Sequence, residues 1–281
     1  MAKALSSLKY FYENAPQYHI VCAGSLLGIA LHSGTSFPVG KVDFLKLYPL
    51  SFQEFLMATG KERFAKLLSQ RDFSKHAPNE IVPRIRMIWN SIPSQLAKEN
   101  KKFIYGMVRE GARAKDYETA IMWLSDCGLV HKVSRVNTPN LPLKAYEDLK
   151  AFKLFLVDVG LLGCMMGLRQ RTLVEGNDLF VEFKGALTEQ YVLQQLVTLS
   201  NLNIYYYTND RGSCEIDFLI DDGEMVVPVE VKAEENLRAK SLRTYKEKYQ
   251  PEISVRTSMA DYRKEEWLVN LPLYAVEEIM Q

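Results

Sequence analysis

Cys214-Glu215-Ile216-Asp217-Phe218-Leu219-Ile220-Asp221-Asp222-Gly223-Glu224-Met225-Val226-Val227-Pro228-Val229-Glu230-Val231-Lys232 is the stretch whose reading decides the fold. Two apolar runs flank Asp221-Asp222-Gly223-Glu224, the pattern of two strands joined by a hairpin turn. Side chains two apart on a strand share a face. Glu230 and Lys232 therefore face one way, and Val229 and Val231 the other. Asp217 ends the alternation of its own strand and precedes Phe218-Leu219-Ile220. Two neighbouring antiparallel strands are expected to bring Asp217, Glu230 and Lys232 together.

An acidic residue on one strand and Glu-x-Lys on the next is the spacing of a metal-dependent phosphodiesterase site. Mg²⁺ is a hard cation that takes carboxylate oxygens, water and substrate phosphate. Asp217 and Glu230 are the candidate ligands for Mg²⁺ or Mn²⁺, and a cation relieves the repulsion between paired carboxylates. Lys232 is placed to orient water or offset charge building on phosphate. Upstream, Gly185 to Leu196 reads as an amphipathic helix burying Leu187, Val192 and Leu196, with Glu189 early on it as the fourth candidate. Downstream, Leu237 to Lys248 reads as a basic helix that offers Lys240 and Arg243 to phosphate. The opposing reading is a surface strand with a solvated Glu/Lys pair, which contributes only about 0–1 kcal/mol.

The order Glu-helix, strand, Asp-strand, Glu-x-Lys strand, helix resembles the PD-(D/E)XK nuclease-like superfamily, over roughly 177–281. The resemblance implies a mixed α/β domain with Glu189, Asp217, Glu230 and Lys232 as its catalytic set.

Composition sets milder bounds. With 281 residues, 47% apolar and 25% charged, the chain is long enough for more than one domain and ordinary for a globular protein. A net charge of +1 gives no global field for nucleic acid, so any basic surface must be local. No apolar run approaches a membrane span, and Met1 to Leu8 lacks a signal-like core, so a cytoplasmic protein is expected. Cys22, Cys127, Cys164 and Cys214 stand far apart in apolar contexts, which reads as buried free thiols.

The first section is taken as 1–59. It shows a short strand over His19 to Ala23, a helix over Leu26 to Leu31, an alternating strand from Val42, and a capping box at Ser51 and Glu54 before another helix. Leu5-Ser6-Ser7-Leu8-Lys9-Tyr10-Phe11, Ala23-Gly24-Ser25 and Phe37-Pro38-Val39-Gly40-Lys41 to Phe55 are similar to AAA+ ATPases that carry a C-terminal domain of unknown function. In that likeness Ser25 ends the sensor-1 strand, and Lys41 stands where many relatives have an arginine finger. Gly34 to Val42 is the nearest approach to a Walker A loop. It has one residue too many between the glycines, Val42 where Ser or Thr must stand, and Pro38 where an N–H is needed. The section therefore reads as a shortened AAA+ remnant, and no ATP binding is expected of the chain by itself.

The second section, 60–170, reads as three main helices followed by two strands, a winged-helix pattern. The likeness to the same family continues through Tyr117, Leu124, Gly128 and Lys153 to Gly160. The groove-entering helix carries Asp116, Glu118 and Asp126, so its exposed face is not basic. Lys101, Lys102 and Arg113 precede or open it and are candidates for phosphate contacts without sequence choice. Tyr10, Phe11, Tyr12 and Tyr205-Tyr206-Tyr207 read as core or strand positions. The third section, 171–281, is the nuclease-like domain. Two functions stay open from sequence. One is a metal-dependent, nucleic-acid-associated nuclease; the other is a non-catalytic protein- or DNA-binding module that partners a separate ATPase or a second copy.

Overall fold

The computed structural model describes residues 10–18, 20–21, 77–168, 178–209, 212–234 and 239–280. Of the strand expected over His19 to Ala23, Ile20 and Val21 are described and are exposed and not in a strand; the other elements expected between 22 and 68, with Ser25, Lys41 and the capping box, lie outside the described residues.

Helix α1 (Val82–Leu96) carries a proline in its first turn, where the missing N–H has no helical partner to lose. Ile85, Ile88, Trp89, Ile92 and Leu96 form its buried stripe at three- and four-residue spacing. The sequence pattern starts a new helix at Pro93, but α1 runs through it. Ile92 and Leu96 on either side are fully buried, and that packing outweighs a proline cost of about 3 kcal/mol. After the single turn of α2 (Tyr105–Val108) comes α3 (Ala114–Asp126), whose Tyr117, Ile121 and Leu124 are buried as its periodicity implies.

Helix α3 ends in a double hydrogen-bonded stop. The Gly128 N–H donates to Ser125 O at 2.9 Å and the Leu129 N–H to Leu124 O at 3.0 Å. Gly128 has φ +69°, which L side chains enter only with strain. Gly128→Ala is therefore expected to lower stability by about 1 kcal/mol, read as a shifted urea midpoint with unchanged slope.

The strands that follow are β1 (Val130–Val136) and β2 (Glu147–Leu156); α4 (Val159–Met165) and α5 (Asp178–Leu196) come next. Then come β3 (Asn203–Thr208), β4 (Glu215–Asp221), β5 (Val226–Val231), α6 (Lys240–Tyr249), β6 (Ser254–Ser258), β7 (Arg263–Lys264) and β8 (Leu268–Pro272). The eight strands among the described residues form one mixed sheet in the order β2-β1-β3-β4-β5-β6-β8-β7. The helix, three strands and helix expected around the acidic residues are present as α5, β3, β4, β5 and α6. β5 and β6 run parallel, so α6 is the crossover between them.

The sheet separates two apolar layers. Phe155, Phe218, Ile220, Val229 and Val231 pack with Leu187, Val192, Leu193 and Leu196 of α5 and with the stripe of α1. Ile216, Leu219, Tyr205 and Tyr207 pack on the other side with Leu242 and Tyr245 of α6.

Several expectations need correction. The β1–β2 hairpin forms, but it does not stand apart as a wing: Arg135 and Val136 pair in parallel with Tyr206 and Tyr207, so the hairpin extends the main sheet. A 3₁₀ segment over Leu273–Glu278 follows β8. Cys214 is buried, but Cys127 is half-buried and Cys164 is exposed near the end of the short α4. Tyr205, Tyr206 and Tyr207 are buried as expected, whereas Tyr10, Phe11 and Tyr12 are exposed. These three occupy successive positions on a helical turn and point around its circumference, so one layer cannot cover them all. Among the described residues no helix is long and apolar enough to cross a membrane.

Candidate functional site

A bulge in β4 aims Asp217. Tyr205 pairs with Leu219 and Tyr207 with Ile216, so Tyr206 alone opposes both Asp217 and Phe218. Ile216 and Leu219 consequently lie under α6 while Phe218 lies under α5. The extra residue turns the Asp217 carboxyl to the α5 side as well, where it shares a hydrogen bond with Glu189. Asp217 Oδ2 also accepts the Val231 N–H at 2.8 Å, at the point where the β4–β5 ladder ends.

Around this carboxyl pair stand two lysines that the sequence reading did not join to it. Lys101, between α1 and α2, donates from Nζ to Glu189 Oε1. Lys153 on β2 is completely buried, with Nζ 2.7 Å from Glu215 Oε1 and 3.8 Å from Glu189 Oε2. The same ammonium lies 4.9 Å from the centre of the Tyr206 ring, a cation–π distance. The cluster is thus Glu189, Asp217, Glu215, Lys101 and Lys153. Glu189 Oε2 is buried with no hydrogen-bond donor and lies 3.8 Å from the Lys153 ammonium.

Electrostatics separate the two acids. Burial pushes the Asp217 carboxyl up, and the neighbouring Glu189 carboxylate pushes it further, to about 7 against the pull of Lys153 and Lys101. Burial also acts to raise Glu189, but Lys101 and Lys153 outweigh it and hold that group below the usual carboxylate range. Burial acts to lower Lys153, yet Glu189, Glu215 and Asp217 hold its ammonium above the ordinary lysine range. The two acids are thus driven apart, one raised and one lowered, the arrangement expected of two acids sharing one space.

Glu230 and Lys232 lie elsewhere. Val229 and Val231 belong to the α5 layer, so Glu230 between them faces α6. There its carboxylate joins burial in pushing the Cys214 thiol up, and it neighbours Arg256 across the parallel β5–β6 pair. Lys232 Nζ lies 2.7 Å from Glu230 Oε1. The structure therefore brings Glu189 and Asp217 together, and Glu230 and Lys232 together, on opposite faces of the sheet. The strand geometry that placed Asp217 with Glu230 assumed an unbroken alternation, and the bulge removes that premise.

The fit to a divalent metal follows from this arrangement. Among the described residues no group of three or more His, Cys, Asp or Glu side chains is disposed to hold a metal ion. Glu189 is already paired with Lys101, and Glu230 with Lys232. As arranged, these residues do not fit a Mg²⁺ or Mn²⁺ site.

The candidate phosphate contacts divide in the same way. Lys101 is turned inward onto Glu189 and leaves the surface set. Lys102 is half-buried, and its charge helps hold the Asp148 carboxyl below its usual range, against burial. Arg113 is exposed beside Asp116, 3.7 Å away. Lys240 and Arg243 are exposed on α6, whose Leu242 and Tyr245 face the sheet.

Lys153 left a signal in the sequence. It interrupts the apolar run Phe152-Lys153-Leu154-Phe155-Leu156, and a lysine in such a strand is rarely fully buried unless paired.

Comparison with known families divides the chain into three stretches. Residues 1–56 match the model of an AAA domain. Residues 48–172 match a domain of unknown function (DUF8612), and residues 184–275 match a second one (DUF4143). The chain is thus related to AAA-type ATPases. No curated protein and no solved structure matches it. Lys101 and Lys153 come from the first domain of unknown function, and Glu189, Glu215 and Asp217 from the second.

Proposed function

We propose that this chain is a nuclease-like, nucleic-acid-associated protein related to AAA-type ATPases, and that it acts by binding rather than by cutting. The observation that carries this reading is the closure of the Glu189–Asp217 pair by Lys101 and Lys153, with Glu230 and Lys232 on the opposite face. Helices α1 to α3 with the β1–β2 hairpin would join the module to a separate ATPase subunit or a second copy. Nucleic acid would meet the outer face of α6. That helix carries Lys240, Arg243, Lys246 and Lys248 against the single acid Glu247.

The test is fluorescence anisotropy with labelled single-stranded and duplex DNA and RNA. The wild type should bind with a strong salt dependence. Lys240→Ala/Arg243→Ala should weaken binding by about tenfold and flatten the salt slope by one to two, roughly one per lost phosphate contact. No binding to any nucleic acid would remove this reading and leave protein partnership.

A metal-dependent nuclease is the second reading. Its support is the hydrogen bond from the Val231 amide to Asp217, which holds the β4 acid against the backbone of Glu230-Val231-Lys232. Cleavage by the wild type with Mg²⁺ or Mn²⁺, lost in both Asp217→Ala and Lys232→Ala, would establish it over the binding reading.

A further inference from the structure

The Glu189–Asp217 pair offers the hard oxygen donors that a divalent cation takes, yet ammonium groups stand against it. We infer that Lys101 is the resident cation of this pocket: its ammonium holds the position against Glu189 that a divalent metal would otherwise take, and so keeps the site metal-free. The inference rests on the binding-not-cutting reading and gives the physical reason for it.

Charge supports it first. Ionised Glu189, Asp217 and Glu215 carry three negative charges against two positive ones from Lys101 and Lys153. The cluster therefore stands at −1. Without Lys101 and with Asp217 ionised it would stand at −2, which one divalent cation balances.

Commitment of the two lysines supports it next. Lys153 is sealed in the core and lies closer to Glu215, at 2.7 Å, than to Glu189, at 3.8 Å. Lys101 makes the direct contact to Glu189. It comes from a connection between helices and keeps 13% of its side chain exposed, so it can withdraw without opening the core.

The third support is an unused donor atom. Glu189 is 5% exposed, and its Oε2 has no ordinary hydrogen-bond donor.

The experiment is Mn²⁺ binding to the full chain, followed by electron paramagnetic resonance and calorimetry. Lys101→Met is expected to bind Mn²⁺ at least about tenfold more tightly than the wild type, because one repelling unit charge is gone at close range. Adding Glu189→Gln should abolish the gain. Equal Mn²⁺ affinity in wild type and Lys101→Met overturns the inference. A second readout needs no metal and no Lys101 variant. In the native wild type, Lys101 should resist acetylation that readily modifies Lys240, and Glu189→Gln should expose it; a Lys101 as reactive as Lys240 in the wild type overturns the inference as well. Failure of the binding reading looks different: wild-type Mn²⁺ binding that is lost in Glu230→Gln but kept in Glu189→Gln would place a metal on the α6 face and leave Lys101 as inferred.

Discussion

Lys153→Met is expected to cost about 3–5 kcal/mol of folding stability, the largest single effect of any charged residue in the cluster. Methionine keeps the length and apolar stem of the side chain but removes the ammonium. Glu215 then loses a cation at 2.7 Å, and Glu189 loses one of its two neutralising lysines. Each would be left as a poorly compensated charge near the core, and that penalty exceeds the modest worth of any pair in water. The comparison variant is Lys144→Met, which breaks an ion pair with Glu147 in which the lysine side chain is 74% exposed. That change should cost about 0–1 kcal/mol. Urea denaturation of the two variants side by side decides the matter. If both lose the same small amount, Lys153 is not what ties β2 to α5 and β4.

The second large effect concerns pH. Asp217 has its folded-state value raised to about 7 from an ordinary 3.8. Between these values the folded protein holds a proton at Asp217 that the unfolded chain has released. Stability from this group therefore falls as pH rises through that window and levels off above about 7. At 1.36 kcal/mol per unit, the whole loss is on the order of 4 kcal/mol. Asp217→Asn cannot ionise, and its amide can donate to Glu189 as the protonated acid does. The variant is expected to lack this slope and to be more stable than the wild type at pH 8 by a few kcal/mol. Glu189 has the opposite sign: its value is lowered, so its stabilisation is present above the ordinary glutamate range and is lost as pH falls through its folded-state value. Denaturation midpoints of wild type and Asp217→Asn from pH 4 to 9 separate the two groups. Parallel curves would show that Asp217 is ionised throughout and that the carboxyl pair shares no proton.

Much of the fold was legible in the sequence because it is local. β3 runs over Asn203–Thr208 as its Ile204-Tyr205-Tyr206-Tyr207 pattern implies, and the turn at Asp221-Asp222-Gly223-Glu224 joins β4 to β5. Gly223 has φ +95°, and the Asp221 and Asp222 carboxylates accept the Gly223 and Glu224 N–H groups, so the turn is written in its own residues. The buried stripe of α5 followed from its spacing. The continuation of α1 through Pro93 was not legible, because it depends on what Ile92 and Leu96 meet.

The sequence alone therefore determined the order of elements around the acidic residues, from α5 to α6, the hairpin and the acidic and basic residue types available, since periodicity and turn chemistry act within a few residues. The tertiary structure decided which of those residues meet. Lys101 reaches Glu189 across 88 positions of chain, and nothing local records that contact. The parallel pairing of β1 with β3 brings the strand carrying Lys153 into the same sheet as Glu215 and Asp217. The bulge opposite Tyr206 is a mismatch between two strands and exists only once they pair; it turns Asp217 toward Glu189 and leaves Glu230 with Lys232 on the far face. Side-chain direction on a strand depends on an unbroken count, and one extra residue reverses it.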